Sequence, residues 1–130
     1  MTRGAPLIVV ADDDPDIVML VSGVLSNNGF EIARATNGAD ALALVRSRRP
    51  DLAVLDVSMP SLDGLEVLRS IRSDPETASL PVILLSARAQ ETDVKTGYAE
   101  GASKYMKKPF SPRELVAAVR ELLPDQDGGL

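Results

Sequence analysis

The sequence predicts an open α/β fold: five parallel strands in one doubly wound sheet, ordered 2-1-3-4-5, with helices on both faces. Three observations predict it. Short apolar runs alternate with amphipathic stretches along the whole chain, and strands that alternate with helices pair in parallel. Three of the runs are apolar without alternation, as strands buried on both faces are. The second and fifth carry charges, which suits sheet edges, where charge discourages pairing with another sheet. A chain of 130 residues holds one such domain.

The first strand is Leu7-Ile8-Val9-Val10-Ala11. Asp14 before Pro15 is a helix start signal. Ile17, Leu20, Val21, Val24 and Leu25 then follow a helical period until Asn27-Asn28-Gly29 stops it. Glu31-Ile32-Ala33-Arg34-Ala35 is the first edge strand. Ala39, Leu42 and Val45 form the next helical stripe, which ends in Arg46, Arg48 and Arg49. Cations there complement the helix dipole; the competing reading, a nucleic-acid patch, runs against the acidic total of the chain. Leu52-Ala53-Val54-Leu55 is a central strand, followed by a helix on Leu65, Leu68 and Ile71. Val82-Ile83-Leu84-Leu85 is another. The helix from Gln90 to Glu100 has few apolar positions (Val94, Tyr98, Ala99), so it is expected to be weakly anchored and able to move. Lys104-Tyr105-Met106-Lys107 is the second edge strand, and Leu115, Val119, Leu122 and Leu123 mark the last helix. The domain spans residues 1–124, and residues 125–130 read as a disordered tail or linker remnant. Right-handed crossovers make this a flavodoxin-like (βα)5 arrangement.

Composition removes whole classes of chemistry. Fourteen Lys+Arg against nineteen Asp+Glu give a net charge of −5, whereas nucleic-acid binding favours a basic surface. There is no cysteine and no histidine. Thiol catalysis, disulfides, a Ser-His-Asp triad, histidine-ligated zinc and a phosphohistidine donor are excluded from this chain. What remains is carboxylate, hydroxyl, lysine, arginine and backbone. The start, Met1-Thr2-Arg3-Gly4-Ala5-Pro6, leads into an apolar run too short for a signal-peptide core or a membrane span. A cytoplasmic protein with no membrane partner is expected.

Ligand sites of open parallel sheets lie beyond the carboxyl ends of the strands. There the first strand ends in Asp12-Asp13-Asp14, the third in Asp56, the fourth in Ser86, and the fifth in Lys108 before Pro109. The strand order makes these ends neighbours. Two like charges about 4–5 Å apart repel by roughly 3–4 kcal/mol at an effective dielectric near 20. Asp12, Asp13 and Asp56 must therefore take up protons or a cation, and Lys108 offsets only one charge. A hard divalent ion held by oxygen ligands resolves the surplus, and Mg²⁺ tolerates a site of one or two carboxylates, waters and a phosphate oxygen. Asp56 follows a wholly apolar strand and precedes a loop, Val57-Ser58-Met59-Pro60, rather than a helix start. It is the candidate nucleophile. Asp14 is read as a helix cap.

These residues carry a resemblance. Val9-Val10-Ala11-Asp12-Asp13-Asp14-Pro15, Asp56 with Met59-Pro60 and Asp63-Gly64, Ser86-Ala87, and Lys108-Pro109-Phe110 resemble the receiver domain of two-component response regulators, over about Leu7 to Leu123. The resemblance implies that Asp56 accepts a phosphoryl group from a phosphohistidine on a partner histidine kinase or histidine phosphotransfer protein. It implies Mg²⁺ bound by Asp13, Asp56 and the backbone carbonyl of Ser58, with Asp12 acting largely through water. Lys108 would pair with Asp56 and then with a phosphoryl oxygen, across a cis Lys108–Pro109 bond. Ser86 would bind another phosphoryl oxygen, its movement coupled to inward rotation of Tyr105. Self-phosphorylation and autodephosphorylation at the aspartate would be the only chemistry, so the chain is not an enzyme in its own right. Phosphorylation would bias the face made by the fourth helix, fifth strand and fifth helix toward a downstream protein.

The chain departs from the family at Ser103-Lys104, where many receivers carry two acids that pair with arginines across a dimer; Arg113 and Arg120 are present, the acids are not. By the same resemblance, Ser58 and Arg88 would occupy positions that tune the dephosphorylation rate in that family. Two further readings stand beside this one: an Mg²⁺-dependent phosphohydrolase resembling the haloacid-dehalogenase group, with Asp12 as nucleophile, and an interaction module independent of phosphorylation.

Overall fold

The computed structural model describes residues 4–87 and 91–123. The expected helix start at Gln90, the position of Arg88 and the tail from 125 to 130 lie outside them.

Strands and helices alternate as β1 (Leu7–Ala11), α1 (Pro15–Asn27), β2 (Glu31–Ala35), α2 (Gly38–Arg48), β3 (Leu52–Asp56), α3 (Gly64–Ser73), β4 (Val82–Ser86), α4 (Glu91–Ala99), β5 (Lys104–Lys107) and α5 (Pro112–Leu122). The sheet order is β2-β1-β3-β4-β5, all pairs parallel. The charged strands β2 and β5 are the edges, as the sequence predicts. β3 and β4 are buried at every position.

Alternate residues of each strand supply the two cores. Val9, Ala11, Ala53, Leu55, Val82 and Leu84 pack with Ala41, Leu42, Val45, Val67, Leu68 and Ile71 of α2 and α3. Ile8, Val10, Leu52, Val54, Ile83 and Leu85 pack with Val18, Val21 and Leu25 of α1 and with Leu115, Ala118 and Val119 of α5. Each fully buried Leu or Ile contributes roughly 1.5–3 kcal/mol relative to exposure, so the strands are held rigidly and their ends cannot drift.

Two helical stripes differ from expectation. Leu20 is 52% exposed and Val18 is buried in its place. Ile17-Val18-Met19-Leu20-Val21 is continuously apolar, so periodicity alone cannot choose which of its members faces the sheet. In α2, Ala39 is exposed, and Gly38, Ala41, Leu42 and Val45 face inward. The phase is set by Gly38: a Cβ there would stand 1.8 Å from the Leu62 carbonyl oxygen, so only glycine lets the helix start so close to the loop after β3. Gly38→Ala is expected to cost about 3 kcal/mol, as overpacking against backbone does, read as a lowered urea midpoint at unchanged slope.

Helix starts follow the sequence signals. Asp14 caps α1 by accepting from the Asp16 N–H, and Asp63 and Ser111 form capping boxes with Glu66 and Glu114. The fourth helix is thinly anchored as expected: among its described side chains only Gly97 is buried.

Candidate functional site

Strand register decides which functional groups meet. Ala11 lies opposite Leu55, Asp56 opposite Leu85, and Ser86 opposite Lys107. The residues just past these pairs therefore converge on one rim. Backbone bonds hold the strand ends together: the Val57 N–H donates to the Leu85 carbonyl and the Lys108 N–H to the Ser86 carbonyl, each at 2.8 Å. Beyond β5 the Lys108–Pro109 peptide is cis.

The Lys108 ammonium is the centre of the arrangement. Its Nζ lies 2.7 Å from Asp12 Oδ2 and 3.1 Å from Asp56 Oδ1. Asp12 is fully buried and Asp56 is 4% exposed. The other oxygen of Asp12, Oδ1, accepts from the Asp14 N–H at 3.0 Å. Asp13, next in the chain, is exposed, yet oxygens of Asp12, Asp13 and Asp56 all lie within 4.8 Å of one another. Desolvation raises the Asp56 carboxyl to about 6; the Lys108 hydrogen bond opposes this and the neighbouring Asp12 and Asp13 charges add to it. Burial lowers the Lys108 ammonium, but its bonds to Asp12 and Asp56 outweigh that and hold it above the ordinary lysine value.

The donor set suits a hard divalent cation: three carboxylates around one gap, a single ammonium among them, and no soft ligand. Asp12 Oδ2 is paired with Lys108, but that one ammonium is shared with Asp56 while Asp13 adds a third carboxylate, so the cluster as a whole is short of positive charge. The residues therefore fit a metal.

Beside this rim opens a cleft of about 870 Å³, lined by Asp13, Ser58, Ser86, Asp93, Thr96 and Tyr105 among others. Ser86 is buried at the end of β4. Tyr105 is half-buried and lies in the cleft with it. The loop after Asp56 is clamped at both ends. A Cβ on Gly64 would stand 2.4 Å from the Asp56 carbonyl oxygen. At the α2 side, the Gly38 N–H donates to the Pro60 carbonyl at 3.2 Å, and the Ala39 N–H to Ser61 Oγ at 3.1 Å.

Every sequence-derived site residue, Asp12, Asp13, Asp56, Ser58, Ser86, Tyr105 and Lys108, thus lies on the rim or in the adjoining cleft. Sequence reasoning missed the direct contact of Lys108 with Asp12, having paired the lysine with Asp56 alone. It also missed Asp93 and Thr96, which reach the cleft through the placement of α4, and Gly97, which packs against the Tyr105 ring; none carries a local signal. Lys104, at the position where the resemblance leads one to look for an acid, pairs with Glu121 of α5 at 3.1 Å.

A strand-end carboxylate site on a doubly wound sheet, with lysine and serine converging on it, defines a class of phosphoryl-handling domain, and comparison with known proteins makes it specific. The family model of the response regulator receiver domain matches residues 8–120. The DNA-binding response regulator MtrA of Mycolicibacterium smegmatis is 41% identical over 116 residues, covering 89% of this chain and 50% of that protein. The receiver domain of Francisella response regulator 1452 superposes with a TM-score of 0.87 at 34% identity, covering 94% of this chain and 99% of that one. The chemotaxis response regulator CheY4 of Vibrio cholerae gives a TM-score of 0.86 at 28% identity, covering 91% and 98%. The chain belongs to the response regulator receiver domain family, the signalling switches of two-component systems. It spans about half the length of the curated relatives it matches. Among the described residues, no helix is long and apolar enough to cross a membrane.

Proposed function

We propose that this chain is a phosphoacceptor switch in which Asp56 takes a phosphoryl group from a phosphohistidine of a partner histidine kinase or phosphotransfer protein. The observation that carries the reading is the Lys108 ammonium set between Asp12 and Asp56, at 2.7 and 3.1 Å. Asp56 is held buried and ready, with the counter-charge for the incoming oxygens already in place.

In the transfer, an Asp56 carboxylate oxygen attacks phosphorus, the N–P bond to the donor imidazole breaks, and that nitrogen leaves protonated or with its pair on the donor. The product is an aspartyl phosphate. Lys108 turns from the carboxylate to a phosphoryl oxygen, and Ser86, from the end of β4, donates its hydroxyl to another. Asp13, Asp56 and the Ser58 carbonyl would hold Mg²⁺, with Asp12 acting largely through water, and the ion would supply neutralisation of the phosphoryl oxygens. Asp12 serves through its bond to Lys108 as well as toward the ion. Water later cleaves the acyl phosphate, which returns Asp56 and releases inorganic phosphate. This autodephosphorylation is the chain's only hydrolytic chemistry.

The output follows from what the phosphoryl contacts. Ser86 and Tyr105 share the cleft with α4, so a phosphoryl held by Ser86 and Lys108 biases the arrangement of α4, β5 and α5 by its differential contacts in the two states. A downstream protein engages that face, and the domain works in the cytoplasm without a direct nucleic-acid or membrane partner. The Lys104–Glu121 pair within the chain supports a partner other than a symmetric dimer built on acid–arginine pairs.

The test is mass spectrometry after incubation with Mg²⁺ and acetyl phosphate. Gain of one labile phosphoryl is expected, absent in Asp56→Asn and after chelation. A label on Asp12 would overturn the reading in favour of an aspartyl-nucleophile hydrolase.

A further inference from the structure

We propose that Gly97 and Tyr98, successive residues of α4, are positioning residues that hold the Tyr105 ring in the cleft beside Ser86. Tyr105 stands on β5, which has a strand neighbour only on its β4 side. An edge-strand tyrosine has open solvent on its other side, so something must keep this ring over the cleft.

Two contacts from α4 do so. A Cβ on Gly97 would stand 2.7 Å from Tyr105 Cδ2, 3.0 Å from Cε2 and 3.2 Å from Leu84 Cδ1. The ring fills the room that a side chain on Gly97 would occupy, and buried Leu84 prevents it from retreating toward the sheet. Tyr98 supplies the second contact: its hydroxyl accepts from the Tyr105 backbone N–H at 3.2 Å. That bond ties α4 to the outer edge of β5 and gives a reason for a tyrosine that is 47% exposed.

The seat is fixed from behind. Arg72 of α3 donates to the Gly101 carbonyl at 3.0 Å and to the Leu80 carbonyl at 2.6 Å, which pins the chain between α4 and β5. The Ala102 N–H closes on the Gly97 carbonyl at 3.0 Å. The end of α4 that carries Gly97 and Tyr98 is therefore its anchored end. The position of the Tyr105 ring is set by α4 before any phosphoryl arrives, and the phosphoryl site sees the fraction of molecules with the ring seated. The ring position rests on geometry alone; its consequence for ligand affinity rests on the phosphoacceptor reading above.

The chain has two tyrosines and no tryptophan, so ¹³C-labelled tyrosine rings give two sets of NMR signals, assigned by Tyr98→Phe. In Gly97→Ala the Tyr105 ring signals are expected to move to solvent-exposed shifts with stronger broadening by a soluble paramagnetic probe. With Mg²⁺ and beryllium fluoride as phosphoryl mimic, the apparent Kd is expected to rise about tenfold if a tenth of molecules keep the ring seated. Tyr98→Phe, which removes only a hydroxyl, is expected to give a smaller rise together with faster exchange of the Tyr105 amide. Gly97→Ala in a Tyr105→Ala background is expected to add nothing to Tyr105→Ala, because the groups act as a unit. Unmoved Tyr105 signals in a folded Gly97→Ala would overturn the inference while leaving the phosphoacceptor reading intact, and so would additive losses in the double variant. If Gly97→Ala does not fold, Tyr98→Phe and its amide exchange decide: an unchanged Tyr105 amide overturns the inference. A wild-type chain that binds no beryllium fluoride would overturn the phosphoacceptor reading and the predicted affinity change, with ring displacement still deciding the role of Gly97.

Discussion

Lys108→Met is expected to destabilise the metal-free protein by about 3–5 kcal/mol at pH 8, the usual cost of removing one partner from a buried ion pair. Methionine keeps the length of the stem, so the loss is charge rather than packing. Without the ammonium, Asp12, fully buried, and Asp56, 4% exposed, face each other as two anions. Asp56, whose carboxyl is already raised by burial, can relieve this by binding a proton, which sets the pH profile. The Lys108 value is raised in the folded state by its bonds to Asp12 and Asp56; a raised cation stabilises the fold fully below its unfolded pKa and loses that contribution only in strongly alkaline solution. The deficit of Lys108→Met is therefore full at pH 8 and shrinks toward pH 5, as the Asp56 carboxyl protonates. Urea unfolding in chelator across that range reads it. Mg²⁺ is expected to restore much of the lost stability, since a divalent cation can replace the ammonium as counter-charge, while acetyl phosphate labelling of Asp56 stays depressed because the ion cannot also replace the group that meets the phosphoryl oxygen. A deficit that does not vary with pH would mean that Lys108 acts by packing.

The lysine was legible in the sequence as a strand-end residue, and so were the three acid positions and Ser86. The acids and Ser86 stand at the ends of wholly apolar runs, and Lys108 stands before Pro109 at the end of a mixed edge strand; parallel topology does the rest. The edge strands were legible too, through Glu31, Arg34, Lys104 and Lys107. What escaped depends on distances between elements. Asp12 and Asp13 are adjacent acids, and nothing local says which one turns inward to Lys108; only the pleat of β1 and the packing of α1 decide. Leu20 was misplaced because five consecutive apolar residues in α1 leave the phase undetermined by periodicity, and Ala39 because a glycine wedged against Leu62 sets the phase of α2 from outside the helix. Ser61 adopts φ +66, a left-handed turn that its residue type does not announce, and its hydroxyl receives the Ala39 N–H. Gly97 reads as a poor helix residue, and its use becomes visible only with Tyr105 beside it.

Asp56→Asn is expected to raise the stability of the metal-free protein by about 2–3 kcal/mol at pH 8, although it removes the proposed phosphoacceptor. The reason is that desolvation, with Asp12 and Asp13 nearby, lifts the Asp56 carboxyl from 3.8 to about 6 in spite of Lys108. An acid with a raised folded pKa favours folding in its protonated form. Its contribution is complete below the unfolded value of 3.8 and is lost as pH rises through about 6, because between the two values the folded state binds more protons than the unfolded. At pH 8 the wild-type chain holds an ionised carboxylate against that preference, at roughly 1.4 kcal/mol for each tenfold gain in proton affinity on folding. Asparagine keeps the shape and an oxygen for Lys108 and has no charge to hold. The advantage of the variant should fall to about half by pH 5 and nearly vanish below about pH 4, where both chains carry a neutral group at this position. Mg²⁺ tests the same account from the other side: it stabilises wild type by binding only the folded state, about 2.7 kcal/mol at a hundred times its Kd, and stabilises Asp56→Asn much less, so that saturating metal narrows or inverts the difference. A variant no more stable than wild type at pH 8 in chelator would show that Lys108 neutralises Asp56 fully, and the site would then have no electrostatic need of a metal.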